Sequence, residues 1–219
     1  MRRYFTDRTP PDSDGIRQVY DGLAPNWLRG PGRGETWLAG DLRNELITYL
    51  HGDVLELGIG AGDTLIRLSQ LPHDVTAYTG LDLSPGMVTE ARKVGTRFPT
   101  TLLVGNAEDL SQFADAAFDT VTASMLLCTV ADVPKALAEF ARVCKPGGRI
   151  VLLEHMLSTN PMVARIMRWW APIQIRQIGC HVDRETVQTL RDCGYEIEIE
   201  HRRRLGIARL IVATPPSRR

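Results

Sequence analysis

Ten residues constrain this chain more than any others: Val54-Leu55-Glu56-Leu57-Gly58-Ile59-Gly60-Ala61-Gly62-Asp63. Val54 to Leu57 is a short apolar run broken by one acid, which suits a buried parallel strand. Glycine then occupies three alternate positions. Thr64-Leu65-Ile66-Arg67-Leu68 opens a helical pattern, with Asp63 placed as an N-cap or first-turn acid. Strand, glycine turn and helix make the start of a nucleotide-binding βαβ unit. Glycine lets the backbone turn tightly and lets a ligand approach without meeting a Cβ.

Two acids narrow the ligand. The dinucleotide fingerprint G-x-G-x-x-G seats a pyrophosphate on the helix N-terminus. Here the spacing is G-x-G-x-G, and Asp63 stands where the third glycine of that fingerprint belongs. Asp63 and Glu56 both repel a pyrophosphate, which argues against a nicotinamide dehydrogenase. They suit a ligand with a cationic part and no phosphate. S-adenosylmethionine (SAM), with its sulfonium and α-amino group, is such a ligand. An ordinary tight βα turn reads the same locally, so the downstream strand ends decide.

The apolar part of Val75 to Asp82 reads as a second strand. Asp82 ends it, 24 residues beyond Gly58. Ligands of such sheets sit outside the carboxyl ends of the strands, and a carboxylate there accepts both hydroxyls of a ribose. Ser84-Pro85 already supplies the start of the next helix, which leaves Asp82 for the ligand. Thr101 to Val104 is a third strand, followed by Gly105-Asn106-Ala107-Glu108. Asn106 offers an acceptor to an adenine amino group and the Ala107 amide a donor to the ring. Phe118 to Ser124 is a fourth strand, ending in Met125-Leu126-Leu127-Cys128. Val133 to Val143 is a helix with Pro134 in its first turn. Lys145-Pro146-Gly147-Gly148 is a sharp stop, and Arg149 to Glu154 is a fifth strand.

Glu56-Leu57-Gly58-x-Gly60-x-Gly62, Leu81-Asp82-x-Ser84-x-x-Met87, Gly105-Asn106-Ala107-Glu108-Asp109-Leu110, Phe118-Asp119-x-Val121 and Leu137-x-Glu139-x-x-Arg142-Val143-x-Lys145-Pro146-Gly147-Gly148 follow one another in order. With these motifs the sequence resembles the class I SAM-dependent methyltransferases, in particular the small-molecule group with a methyltransferase-11-type core. The resemblance covers roughly residues 15 to 213. It implies an α/β, Rossmann-like fold: a seven-stranded, mostly parallel sheet with an antiparallel last strand, helices on both faces and a small helical cap. It implies SAM as cofactor, held by Tyr20, Glu56, Gly58, Ile59, Gly60, Gly62, Asp82, Leu83, Met87, Asn106, Ala107, Glu108, Ser124 and Met125. Where the family often has Asp, this chain has Asn106, which removes a charge but keeps an acceptor.

The 219 residues are expected to form a single domain. Residues 14–50 form an N-terminal helical cap, 51–155 the SAM-binding core, 156–182 a cap insertion over the acceptor pocket, and 183–213 a last helix and strand hairpin. Residues 1–13 read as loose and 29–34 as a flexible turn. The first helical stretch, Asp14 to Leu28, is interrupted by Pro25. Glu35 to Leu50 reads as one helix, with leucine at 38, 42, 46 and 50. Asp183 is the expected N-cap of a helix running through Cys193, with Gly194 as its stop. Tyr195 to Glu200 alternates as a half-exposed strand does, His201-Arg202-Arg203-Arg204 reads as a solvated hairpin end, and Ile207 to Ala213 completes the sheet.

Positive and negative side chains number 26 each, so nothing in the net charge favours a nucleic-acid partner. No apolar run approaches the ~20 residues of a membrane span, and the N-terminus lacks the apolar core of a signal peptide. A cytoplasmic protein is expected. Cys128, Cys144, Cys180 and Cys193 form no C-x-x-C pair, so no metal site and no disulfide framework is expected.

The acceptor is chosen by the cap. Val163, Ile166, Met167 and Trp170 share one helical face, expected to pack on the core or to line an apolar acceptor pocket through Met167 and Trp170. Arg165, Arg168 and the tryptophans also fit a membrane-surface helix, which leaves a peripheral membrane contact open. Trp27 and Cys128 complete the candidate acceptor residues, although Tyr20 and Trp27 equally serve to pack the first helix. Methyl transfer is an in-line displacement that needs positioning more than a protein nucleophile. His155 is the first candidate base and His181 the second; a structural histidine is the competing reading of each. Leu127-Cys128-Thr129-Val130, Glu154-His155 and Gly179-Cys180-His181 are similar to the animal thiol methyltransferases called methyltransferase-like 7. A small, fairly apolar thiol is therefore the leading acceptor, with a phenol, quinone or amine next. The alternatives are a peripheral phosphatidylethanolamine N-methyltransferase and a SAM-binding protein without turnover. The oligomeric state is left open.

Overall fold

The architecture follows from strand ends that must meet on one side of a twisted sheet. A computed structural model describes residues 11–30 and 37–217. Of the expected loose stretch 1–13, residues 1–10 lie outside the described residues, as do 31–34 of the expected turn; Asp12 caps the first helix, which includes Ser13. The strands are β1 (His51–Leu57), β2 (Asp74–Asp82), β3 (Thr100–Val104), β4 (Phe118–Ser124), β5 (Cys144–His155), β6 (Glu196–Arg203) and β7 (Ala208–Thr214). They form one sheet in the order β3-β2-β1-β4-β5-β7-β6. β1 pairs in parallel with both β2 and β4, and β7 runs antiparallel between β5 and β6. The seven-stranded sheet with an inserted antiparallel strand is therefore as expected. The strand order reverses between β1 and β4, the place where such a sheet opens a crevice.

The helices are α1 (Ser13–Leu23), α2 (Leu42–Ile47), α3 (Asp63–Leu68), α4 (Pro85–Ala91), α5 (Val133–Val143), α6 (Pro161–Ile178) and α7 (Thr186–Asp192). A 3-10 turn, Ala24–Arg29, follows α1, because Pro25 cannot supply the amide an α-helix needs next. Alternation along β1 sends Leu55 and Leu57 to one face of the sheet and Val54 to the other. On the first face α5 contributes Leu137 and Phe140, and α7 contributes Val187 and Leu190. On the second, α2 contributes Leu42 and Leu46, and α3 contributes Leu65 and Leu68. Each fully buried side chain of this size contributes about 1.5–3 kcal/mol, so the sheet is anchored from both sides.

Four local expectations are corrected. The Glu35–Leu50 helix is broken: residues 37–39 are helical, Gly40 takes φ +52°, and α2 begins only at Leu42. The leucine spacing survives because Leu42, Leu46 and Leu50 still reach the core. Asp183 does not cap α7. The Arg184 carbonyl accepts from the Leu157 amide at 3.0 Å, which holds this stretch against the β5–α6 loop, and α7 starts after Glu185. The basic cluster is exposed at the hairpin end as expected, but three of its four residues are strand: β6 runs to Arg203, and Glu200 pairs with both Arg202 and Arg209, at 2.9 and 2.8 Å. The face of α6 is also different. Ala164 and Ala171 are its buried residues, since small side chains let the helix axis approach. Met162, Ile166, Trp169 and Trp170 point outward, 76, 62, 74 and 44 % exposed.

Candidate functional site

The glycine turn after β1 takes the left-handed region at Gly58, Gly60 and Gly62, with φ of 70°, 55° and 89°. The Gly58 amide donates to the Leu81 carbonyl at 2.8 Å, which fixes the turn against β2. A Cβ on Gly58 would come within 2.9 Å of Leu126. A Cβ on Gly60 would meet nothing within 4 Å: its bare Cα faces the cleft. Glu56 is directed the other way. Its carboxylate is buried, accepting from the Thr64 hydroxyl at 2.7 Å and from the Tyr78 hydroxyl. Burial raises its pKa to about 7. Glu56 thus ties β1 to β2 and α3 and does not line the cleft.

Asp82 is fixed by main-chain donors. Its Oδ2 accepts from the Gly60 amide at 2.8 Å and its Oδ1 from the Ser84 amide at 2.9 Å. Burial raises its pKa, against the pull of those two donors. Each oxygen keeps a lone pair for a ligand. α1 is brought over this end by Asp21, whose Oδ1 accepts from the Ser84 hydroxyl at 2.6 Å and the Gly86 amide at 2.9 Å. That clamp sets Tyr20 and Trp27 over the cleft, their ring centroids 5.7 Å apart.

At β3 the Asn106 side-chain oxygen accepts from the Glu108 amide at 2.9 Å and shapes the loop. Glu108 in turn accepts from the Ala131 amide at 2.8 Å, joining this loop to the one after β4. Met125, just past β4, has φ +54°. A non-glycine residue held there costs on the order of 1–3 kcal/mol. The surroundings hold it: its amide donates to the Leu153 carbonyl at 2.7 Å, and the next two amides both donate to Glu154 Oε1 at 2.9 Å. Glu154 is fully buried, its pKa raised to about 7 by burial. Its role was not read from the sequence. The available signal was an acid closing the apolar run Ile150-Val151-Leu152-Leu153.

The result is a cleft of about 970 Å³, open mouth included, outside the ends of β1, β2, β3 and β4. Of the expected cofactor residues, Tyr20, Gly58, Ile59, Gly60, Asp82, Leu83, Met87, Asn106, Ala107, Glu108, Ser124 and Met125 line it; Glu56 and Gly62 do not. Arg17 and Arg43 line it and were not anticipated; Asp63, read from the sequence as suiting a cationic ligand, lines it too. The donor set fits SAM. Asp82 suits a ribose diol, the bare Gly60 Cα allows close approach, and the buried Ser124 Oγ lacks a protein partner. Arg17 and Arg43 suit a carboxylate, and Asp63 and Asp82 balance a cationic ligand.

The expected acceptor residues divide. Trp27 lines the cleft; Cys128, Met167, Trp170, His155 and His181 do not. His155 Nε2 lies 3.2 Å from Cys180 Sγ, and the His181 amide donates to the Cys128 carbonyl at 2.8 Å. Burial lowers the His181 pKa, and Arg184 lowers it further. Neither histidine is brought to the cleft as a base.

The family described as Methyltransferase domain matches residues 55–152. The demethylmenaquinone methyltransferase of Symbiobacterium thermophilum is 35% identical over 153 residues, 64% of this chain and 58% of that protein. The demethylmenaquinone methyltransferase of Lactiplantibacillus plantarum is 32% identical over 168 residues, 71% of this chain and 68% of that protein. The chain therefore spans about three fifths to two thirds of the length of these relatives. Among solved structures, a Haloferax volcanii protein in complex with the Trm112 methyltransferase activator superposes with a TM-score of 0.72. It is 21% identical, and the match covers 90% of this chain and 98% of that one. That likeness is one of fold.

Proposed function

This chain belongs to the class I SAM-dependent methyltransferases, and we propose that it methylates a lipid-borne acceptor of the quinol type, taken up at a membrane surface. Bound SAM supplies a methyl group on a positively charged sulfur. Asp82 would hold the ribose hydroxyls, Asn106 and Ala107 would address the adenine, and Arg43 would receive the carboxylate. Tyr20 and Trp27 exclude water from the reacting end. The methyl group would pass to an electron-rich ring carbon or oxygen of the acceptor, leaving the sulfur neutral in S-adenosylhomocysteine, and the acceptor's proton would go to solvent. Such positioning supplies several kcal/mol without a protein nucleophile.

Helix α6 is the observation that carries the acceptor class. It has 18 residues, three arginines (Arg165, Arg168, Arg176) and no acid. It presents Met162, Ile166, Trp169 and Trp170 to solvent. Tryptophan with arginine on one exposed helix suits the interface of an anionic bilayer. Its C-terminal Gly179 abuts Ile16, which lines the cleft. A lipid bound along α6 would thus arrive at the cleft wall. No helix among the described residues is long and apolar enough to cross a membrane, so α6 lies on the surface. Two of the relatives described above are named for a quinone substrate, which agrees with this reading. The thiol expected from the sequence is less well supported, because Cys128 and His155 stand off the cleft.

The test is transfer of labelled methyl from SAM into anionic vesicles carrying a naphthoquinol, beside phosphatidylethanolamine vesicles and small thiols, with Asp82→Ala as control. Label in the quinol, lost in the control, supports the proposal. Label confined to the thiols or to the phospholipid amine overturns the acceptor assignment. SAM binding without label in any acceptor overturns catalysis.

A further inference from the structure

Cys128, His155 and Cys180 are separated by 27 and 25 residues, a spacing that conceals them from any metal motif. The fold brings them together. Cys128 follows β4, His155 ends β5, and Cys180 follows the left-handed Gly179 that ends α6. Their ligand atoms, two sulfurs and a ring nitrogen, all lie within 4.8 Å of one another. The geometry points to a binding site for one soft divalent cation of the zinc class, held by the Cys128 and Cys180 thiolates and the His155 imidazole.

The argument rests on donor chemistry and closure. Thiolate with imidazole selects zinc-class ions over magnesium or calcium. With bonds of about 2.3 Å to sulfur and about 2.0 Å to nitrogen, a tetrahedral ion spaces its ligand atoms roughly 3.5–3.8 Å apart. The Cys180–His155 separation is 3.2 Å, so small side-chain shifts around an ion satisfy all three. Both cysteines are buried and His155 is partly so, which shields the site from bulk water. The shell around the cluster is charged and ordered. Arg184 donates to the Leu127 carbonyl, next to Cys128. Glu154 Oε2 is buried without a partner. Two thiolates neutralise a divalent ion, and loading releases the protons of any thiol still protonated to solvent.

Three ligands leave a fourth coordination position, which a water molecule would fill. The ion would fasten α6 to the ends of β4 and β5, beside Leu126 and Thr129 of the cleft wall. It would therefore fix the cap and not the cofactor residues.

The experiment uses the full chain, stripped with a chelator under reducing conditions and titrated with Co²⁺ and then Zn²⁺. Expected are one equivalent of Co²⁺ with a sulfur-to-cobalt charge-transfer band in the near ultraviolet, tetrahedral-strength visible bands, and displacement of both by Zn²⁺. Zn²⁺ should also protect Cys128 and Cys180 from alkylation while the more accessible Cys193 still reacts. Cys180→Ser should weaken Co²⁺ binding by more than about 100-fold, beyond the loss from removing an outer-shell partner. Absence of the charge-transfer band in the folded wild-type protein overturns the proposal, whatever the variant does. So does alkylation of Cys128 and Cys180, or their oxidation to a disulfide, at the same rate with and without Zn²⁺.

Discussion

At the ends of β1 and β2, the groups proposed to meet SAM are held by the main chain; the groups proposed to meet the acceptor stand on α6, whose fully buried residues are two alanines. Asp82 receives two backbone amides, and the glycine turn is pinned to Leu81. Helix α6 buries Ala164 and Ala171, half-buries Val163 and Met167, and leaves Met162, Ile166, Trp169 and Trp170 to solvent. A ligand common to a whole family needs donors and acceptors at constant positions, and backbone geometry provides that. An acceptor that differs between relatives needs a surface that tolerates change, and an exposed helix provides that. Under the proposed function, pre-organisation sits at the cofactor end and selectivity at the cap.

The largest expected effect separates the two ends. Asp82→Ala removes a charged acceptor of two ligand hydroxyls, and each such bond contributes about 1.5–3 kcal/mol. SAM affinity by calorimetry should fall at least about 100-fold, with vesicle binding unchanged. Parallel loss of both would erase the distinction. Gly58→Ala comes next: a side chain at φ +70°, 2.9 Å from Leu126, should cost about 1–3 kcal/mol in urea unfolding and weaken SAM binding. An unchanged midpoint would mean that the turn is not pinned as described. The double variant Trp169→Ser/Trp170→Ser should lower partition into anionic vesicles about tenfold by co-sedimentation, leaving SAM affinity within about twofold.

The smallest effect concerns the buried carboxyl between the two ends. The folded-state pKa of Glu154 is raised from 4.5 to about 7. The folded protein therefore holds a proton that the unfolded chain has released. Its contribution to stability is full below about 4.5 and is lost as pH rises through about 7. Glu154→Gln should flatten the melting-temperature profile between those values. Glu56, shifted the same way, leaves a residual slope. A profile as steep as wild type would mean that Glu154 is charged throughout.

What could be read in the sequence followed the same division. Motifs at strand ends have fixed spacing, so Asp82, Asn106 and Ser124 were placed in the cleft from their positions after Gly58. Glu56 belongs to the same motif yet turns into the core, because Thr64 and Tyr78 offer it hydroxyl donors and the sequence does not say which way a strand-end acid points. Arg17 and Arg43 reach the cleft from elements with no spacing rule. The α6 face was misassigned because the periodicity of large residues matched a buried stripe, while two alanines seven residues apart made the closer approach. The Cys128–His155–Cys180 cluster depended on three loop ends meeting, which no local pattern encodes.

The most direct measurement of the central claim is steady-state transfer of labelled methyl from SAM to a naphthoquinol in anionic vesicles, comparing wild type with Trp169→Ser/Trp170→Ser. Two ends that act separately predict an unchanged KM for SAM and a KM for vesicle-borne quinol raised about tenfold, in step with the lost partition. A rise in KM for SAM, or an unaltered KM for the quinol, would contradict the account.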